Sequence, residues 1–291
     1  MAEVAVVVVT YNAMPWLTRC LESVAGVECV VVDHGSTDGS VERARAAGVT
    51  VVEQENRGLA AGWNRGLRET EGRYVLILNA DAWLLDGALE RLVAFADAHP
   101  RAAVVGPRLR NPDGTLQRSV RGFPTLWRLA TEYLFLRKLA PHSTALNAFY
   151  AGGFDHESVR EAEFVMGAVM LVRREAIAEV GPLDESFFLF SEEVDWCYRF
   201  AQAGWEVVFT PEAEAVHVGG ASHGGRLFDQ QLLGHLRFLA KHRGLAYAER
   251  ARKLLVVSLR LRGLLFRGER GRMYREGARF LASGSAEALL R

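Results

Sequence analysis

Residues Tyr74 to Leu85 read YVLILNADAWLL, and no other stretch narrows the fold as much. The apolar run Tyr74 to Leu78 describes a buried strand, and Asn79-Ala80-Asp81 marks where the chain leaves the sheet. Ligands of open α/β sheets bind in the crevice outside the carboxyl ends of the strands, because the loops leaving the strands converge there. Asp81 therefore becomes a candidate for contact with a ligand or a metal. The plainer reading is that Asp81 turns or caps the chain after a strand, as aspartate often does.

The segments around it repeat the same pattern. Val4 to Val9 is β-branched enough for a central strand and ends in Thr10-Tyr11-Asn12, after which Pro15 opens a helix to about Val24. Cys29 to Val32 and Val49 to Val52 are further strands. The first of these closes in the polar loop Asp33-His34-Gly35-Ser36-Thr37-Asp38-Gly39, where Ser36 or Asp38 suits the cap of a helix to about Ala47. Asn56 to Gly66 is a glycine-punctuated helix start, and Asp86 suits the cap of a helix ending before Pro100. Strands alternating with helices predict an α/β fold with a mostly parallel sheet and flanking helices.

Further on, Ala103 to Leu109 and Leu116 to Val120 suit a hairpin across Asn111-Pro112-Asp113-Gly114. Pro124 to Leu139 has helical spacing, and residues 141–158 have no clear period, as in a loop near a site. Phe164 to Val172 reads as a strand and Ser191 to Ala203 as a helix. Trp205 to Thr210 and Ala215 to Val218 read as two short strands.

Composition bounds the class. Of 291 residues, 49% are apolar and 24% charged, as in an ordinary globular chain. The three cysteines, Cys20, Cys29 and Cys197, have no CxxC spacing, so neither a disulfide framework nor a zinc knuckle is indicated and a reducing, cytoplasmic setting fits. The apolar start MAEVAVVVV lacks a basic flank and is too short to span a bilayer. Net charge is zero but uneven: residues 226–291 hold 15 Lys and Arg against 5 Asp and Glu, a net +10, leaving −10 on 1–225. Residues 226–291 also change character to amphipathic helices with arginines between the apolar positions. The expected division is a domain over 1–225 and a basic helical tail over 226–291.

Four features fall at strand ends: Asp33, the Gly58 to Gly66 segment, Asp81, and Ser191-Glu192-Glu193-Val194-Asp195. Ends of parallel strands in one sheet share an edge, so Asp33 and Asp81 are expected to line one crevice. GxGxxG, GxxxxGK[ST], GxSxG and HExxH are all absent.

Six motifs in order, VVVVTYNAMPWLTRCLESV, VVVDHGSTDGS, NRGLAAGWNRGL, YVLILNADAWL, FVMGAVMLVRREAIAEVGPLDESFFLFSEEVDWCYR and AVHVGGAS, resemble family 2 glycosyltransferases of the rhamnosyltransferase-like branch. The resemblance covers Val4 to Ser222 and implies the GT-A fold, a nucleotide-sugar donor, a divalent metal (Mg²⁺ or Mn²⁺) and inversion at the anomeric carbon. By that resemblance Thr10, Tyr11, Asn12 and Asp33 hold the nucleoside, with Asp33 on the base. Gly58, Gly62 and Asn64 approach the diphosphate or ribose. Asn79 and Asp81 match the ends of the family's DxD-like element, so Asp81 meets metal and diphosphate, and His217 matches a histidine that completes the metal site. The family's Glu-Asp-x-Asp stands here as Glu192-Glu193-Val194-Asp195, which makes Glu193 the base that deprotonates the acceptor hydroxyl, with Asp195 in reserve. Glutamate for aspartate adds a methylene, and positioning matters at that scale. His34 departs from the family's Asn.

The branch implies transfer of rhamnose from dTDP-rhamnose to a glycan or polyprenyl-linked acceptor in bacterial surface polysaccharide synthesis. The rival reading is a catalytically silent nucleotide-sugar-binding or scaffold protein of the same fold. For the tail, three readings stand: helices packed on the domain, a peripheral contact at the inner face of the cell membrane, or an oligomer interface. A nucleic-acid role is not expected, since no recognisable module is present.

Overall fold

The computed structural model describes residues 3–219 and 227–291 and separates into two compact units. The first comprises Met1–Val120, Asp155–Phe188 and Glu192–Gly225, and the second comprises Arg121–Phe154, Leu189–Ser191 and Arg226–Arg291. Residues 121–154 thus group with the basic tail, although in sequence they lie inside the span 1–225.

Unit one is built on a sheet with ten strands among the described residues. β1 (Val4–Thr10), β2 (Glu28–Asp33), β3 (Thr50–Glu53) and β4 (Tyr74–Asn79) are parallel neighbours in the order β3-β2-β1-β4. Their connections are α1 (Trp16–Glu22), α2 (Ser40–Ala46) and α3 (Leu59–Arg68). β1 is buried along its whole length, which accounts for a strand of almost nothing but valine. Beyond β4 the sheet turns mixed: the strand Val169–Arg173 lies antiparallel between β4 and β6 (Ala102–Arg110), and Glu206–His217 runs parallel to β6. β5 (Ala82–Leu84) closes that edge antiparallel to Glu206–His217. α4 (Ala88–Ala98) packs its Leu92, Phe95 and Ala96 into the core.

Three local expectations change. Trp205 to Thr210 and Ala215 to Val218 are one strand, Glu206–His217, whose register slips between Thr210 and Glu214 so that Pro211 and its neighbours are carried by a bulge. Phe164 to Val172 is broken into Phe164–Val165 and Val169–Arg173. Neither expected aspartate or serine caps α2 or α4 from the N-cap position, which Gly39 and Gly87 occupy in the left-handed region. Asp38 still meets the first turn of α2, accepting from the Ser40 amide at 3.1 Å.

α3 lies close on β1 because it has glycine where the two meet. A Cβ on Gly66 would stand 2.2 Å from Cγ1 of the buried Val7. Gly66→Ala is expected to cost about 1–3 kcal/mol, as overpacking does, and to show as a fall of several degrees in Tm.

Unit two is helical: Leu126–Tyr133, Phe228–Arg243, Leu245–Leu265, Gly268–Ala282 and Ala286–Leu290. Arg262 acts as an internal staple here. It is buried, donates from Nε to the Tyr133 carbonyl at 2.7 Å and also bonds the Glu132 carbonyl, which satisfies two carbonyls at the end of the first helix. Its guanidinium lies 4.0 Å from the Phe135 ring centroid. The tail's arginines are therefore not all solvent-facing, as a simple amphipathic pattern would have them.

Candidate active site

Register alone brings three of the expected residues to one level of unit one. Thr10 pairs with Asp33, and Val9 with Asn79, so the carboxyl ends of β1, β2 and β4 finish side by side. The loops leaving β1 and β2 are laced together. Asn12, at φ 51°, donates its amide to Ser36 Oγ at 2.9 Å and accepts the Thr37 amide on Oδ1 at 2.8 Å. The Met14 amide donates to Asp38 at 2.8 Å. Asp33 is fully buried at the head of this loop, and its Oδ1 accepts the amides of Gly35 and Ser36, both at 2.9 Å. Its Oδ2 has no hydrogen-bond partner among the described residues, and neither has the buried Thr10 Oγ1. Leaving such acceptors unmade is costly, which makes both fit for a ligand that donates N–H or O–H groups. Tyr11 is exposed beside them.

The glycine segment is held by close backbone contacts. Gly58, at φ 94°, has no room for a Cβ, because the Phe188 carbonyl oxygen would stand 2.4 Å away, and the Leu59 amide donates to that oxygen at 2.7 Å. Gly62 faces Val9 and His34 Nε2, with contacts of 2.7–2.8 Å to an added Cβ. Asn64 is buried and holds the loop after residue 182 by both ends of its amide: Oδ1 accepts from Leu183 N at 2.9 Å, and Nδ2 donates to Leu183 O at 2.9 Å and Glu185 Oε1 at 3.1 Å. These three residues position the chain around the edge through packing and hydrogen bonds. His34, buried and 3.0 Å from Gln54 Nε2, has its pKa lowered by burial, which favours the neutral ring.

Asp81 lies just past β4, where the chain enters β5, and its carbonyl accepts the Val218 amide at 3.0 Å. Because Ala82 pairs with His217, the pairing of β5 with Glu206–His217 sets the two side chains face to face, with His217 Nε2 3.5 Å from Asp81 Oδ1. Both are buried. Gln117, on β7 (Leu116–Gln117), fixes the ring: its Nε2 donates to the His217 carbonyl at 3.1 Å and to Asn111 Oδ1 at 2.9 Å, which turns its Oε1 toward His217 Nδ1 at 2.7 Å. Nδ1 must then carry the proton, and in a neutral ring Nε2 presents a lone pair to the carboxylate. Two electron-pair donors facing each other are matched by a cation between them or by a proton on Nε2. Among the described residues no group of three or more His, Cys, Asp and Glu surrounds such a point. Two protein donors, with substrate phosphates and water for the rest, is the set that Mg²⁺ and Mn²⁺ accept. Nothing in the sequence pattern singles out Gln117, and only its pairing across the Asn111 to Gly114 turn reveals it.

The three acids at the start of the helix Glu192–Gln202 have different fates. Glu192 is buried, and burial together with its neighbour Glu193 pushes its pKa well above the usual carboxylate range. Asp195 is fully buried and bonds Arg199 Nε at 2.9 Å; Arg199 in turn donates to the carbonyls of Val180 and Pro182. Glu193 alone of the three is half-exposed. It flanks Gly167, where an added Cβ would stand 3.3 Å from Glu193 Cβ and Cγ and 3.0 Å from Trp63. The next residue, Ala168, accepts the Asn79 amide at 2.9 Å, so a chain of contacts ties Glu193 to the end of β4. Trp196 is fully buried, with Nε1 on the Gly181 carbonyl at 3.0 Å, and serves packing.

The profile of glycosyl transferase family 2 matches residues 5–180. The chain is 32% identical over 231 residues to the N-acetylglucosaminyl-diphospho-decaprenol L-rhamnosyltransferase of Mycobacterium tuberculosis (strain ATCC 25618 / H37Rv), covering 73% of this chain and 75% of that protein. It is 22% identical over 232 residues to the low-salt glycan biosynthesis hexosyltransferase Agl10 of Haloferax volcanii, 74% of this chain and 67% of that one. Among solved structures, the mannosyltransferase PcManGT of Pyrobaculum calidifontis, in complex with GDP-Man and Mn²⁺, superposes with a TM-score of 0.57 at 20% identity, over 99% of this chain and 78% of that one. GalNAc-T7 with UDP, GalNAc and Mn²⁺ gives 0.59 at 14% identity, over 99% and 56%. These likenesses place the fold among the GT-A glycosyltransferases. A profile spanning more than half of the chain and a relative at this identity settle the family: the protein is a glycosyltransferase of family 2, similar to its rhamnosyltransferases.

Proposed function

We propose that the enzyme moves a hexose, best matched as rhamnose from dTDP-rhamnose, onto a hydroxyl of a polyprenyl-linked or other glycan acceptor in bacterial surface polysaccharide synthesis, using Mg²⁺ or Mn²⁺ and inverting the anomeric carbon. The observation that carries the metal part is the Asp81–His217 pair, two electron-pair donors 3.5 Å apart braced by Gln117. The lipid-linked substrate of the mycobacterial relative supports the acceptor class. In this reading residues 1–225 do the chemistry at the cytoplasmic face of the membrane, and 226–291 serve access to the acceptor.

Asp33 Oδ2 accepts an N–H of the pyrimidine base, and Thr10 Oγ1 takes part in holding the nucleoside beside Tyr11 and Asn12. A divalent cation, when bound, would offset negative charge on the departing nucleoside diphosphate. Asp81 and His217 would hold it, and Asn79, at the end of β4, would border the diphosphate. Glu193 accepts the proton of the acceptor hydroxyl as that oxygen attacks the anomeric carbon from the face opposite the leaving group. Gly58, Gly62 and Asn64 border the diphosphate or ribose, and their packing and hydrogen bonds keep that rim in place.

Thermal-shift screening against nucleotide sugars tests the donor assignment, since a ligand that binds only the folded state raises its stability. dTDP-rhamnose with Mn²⁺ is expected to raise Tm by several degrees and more than UDP- or GDP-sugars do; a preference for a purine nucleotide would overturn the assignment of Asp33 to a pyrimidine. The brace makes a separate prediction. Gln117→Ala frees the His217 ring and should weaken Mn²⁺ binding about 10- to 100-fold, as loss of a ligand's hydrogen-bonding partner does, in a titration with Mn²⁺ and dTDP.

A further inference from the structure

We infer that the helix Leu245–Leu265 docks the protein in the plane of an anionic bilayer, through an apolar stripe of Val257, Leu261, Leu264 and Leu265 flanked by Lys253 and Arg260. The inner face of this helix already supplies the core of its unit: Ala248, Ala251, Leu255 and Leu259 are fully buried. The second apolar face is left in the open. Val257 is 55% exposed, Leu261 47%, Leu264 82% and Leu265 73%. Single exposed leucines are ordinary, but four apolar side chains over little more than two turns form a patch that favours burial against something.

Charge says what covers it. Lys253 and Arg260 are exposed within the same face at helical spacing, and Arg267 and Arg270 are exposed just beyond its end. The helix has one acid, Glu249, and it is taken up by Arg252 at 2.7 Å, with Lys253 at 3.9 Å. Those neighbours hold the Glu249 carboxyl down at about 2, so it stays ionised and paired. From Arg250 to Gly268 the surface therefore offers cations and apolar groups with no acid in sequence. A second copy laid on this face would set cation against cation, whereas anionic headgroups meet the cations and the acyl boundary meets the leucines. Among the described residues no helix is long and apolar enough to cross a membrane, so the contact is in-plane. The inference rests on the proposed function only for its purpose, bringing the enzyme to a lipid-linked acceptor.

Flotation of the full chain with vesicles of phosphatidylcholine, with and without about a third phosphatidylglycerol, tests it at low and at 0.5 M salt. The wild type should float with the anionic vesicles and lose part of that binding in high salt, where charges are screened. Leu264→Ser with Leu265→Ser should lower the bound fraction at least about tenfold, and Arg260→Glu should lower it on anionic vesicles. All three positions are exposed, so circular dichroism and Tm should match the wild type. Nucleoside diphosphate release with a water-soluble acceptor should also be unchanged, which separates this test from that of the catalytic reading. Equal flotation of wild type and variants, no flotation of the wild type, or a wild-type dimer that the leucine substitutions dissociate without any vesicle binding would each overturn the inference.

Discussion

Asp81→Asn is expected to lower nucleoside diphosphate release by about 100- to 1,000-fold or more, the scale of losing one group that stabilises leaving-group charge. The substitution keeps volume and the backbone bond from Val218 N to Asp81 O, so the fold should persist with an unchanged Tm. What it removes is the anionic half of the pair that faces His217 Nε2 at 3.5 Å. Added Mn²⁺ should restore activity only in part, because the remaining neutral amide is a poorer ligand. Release assays across a Mn²⁺ titration check both statements, and a variant with full turnover would remove Asp81 from the mechanism.

Glu193→Gln should be comparably damaging to transfer, about 100- to 10,000-fold, which is the range for a general base. Donor binding should survive, so the thermal shift given by nucleotide sugar and the KM for donor stay near wild type while kcat falls. Asp195→Asn is the informative contrast. Its carboxylate is fully buried against Arg199, so breaking that pair leaves a cation uncompensated and should cost about 3–5 kcal/mol of stability, read as a lower Tm. A loss of kcat without a loss of Tm in Asp195→Asn, together with an active Glu193→Gln, would exchange the two roles.

The parallel half of the sheet was legible because each of its strands has an apolar centre rich in β-branched residues. Val4–Thr10 and Tyr74–Asn79 are central, so every position before the polar last residue carries the same signal. The far half was not, for reasons of non-local pairing. Glu206–His217 contains Pro211 and three glutamates, and only its alignment with β6, with a slipped register, keeps it one strand. β5 is three residues long and exists because Glu206–His217 lies beside it. The candidate metal ligands were visible at a strand end and by family resemblance. Gln117 was not, since a glutamine in a turn-flanked strand carries no pattern of its own. The glycine segment was legible as special but not as to why, because a Cβ clash with Val7, Val9 or Phe188 is a tertiary fact. Among Glu192, Glu193 and Asp195 the resemblance favoured Glu193 with Asp195 in reserve, and burial, a tertiary fact, separates the three.

Transfer itself tests the proposed reaction most directly. Purified enzyme, dTDP-rhamnose and a prenyl-diphosphate-linked N-acetylglucosamine acceptor are incubated with Mn²⁺ or with EDTA, and the product linkage is read by NMR. A rhamnosylated product of inverted anomeric configuration is expected with Mn²⁺ and none with EDTA. A product that forms equally well in EDTA, or one that retains the donor's configuration, would contradict it.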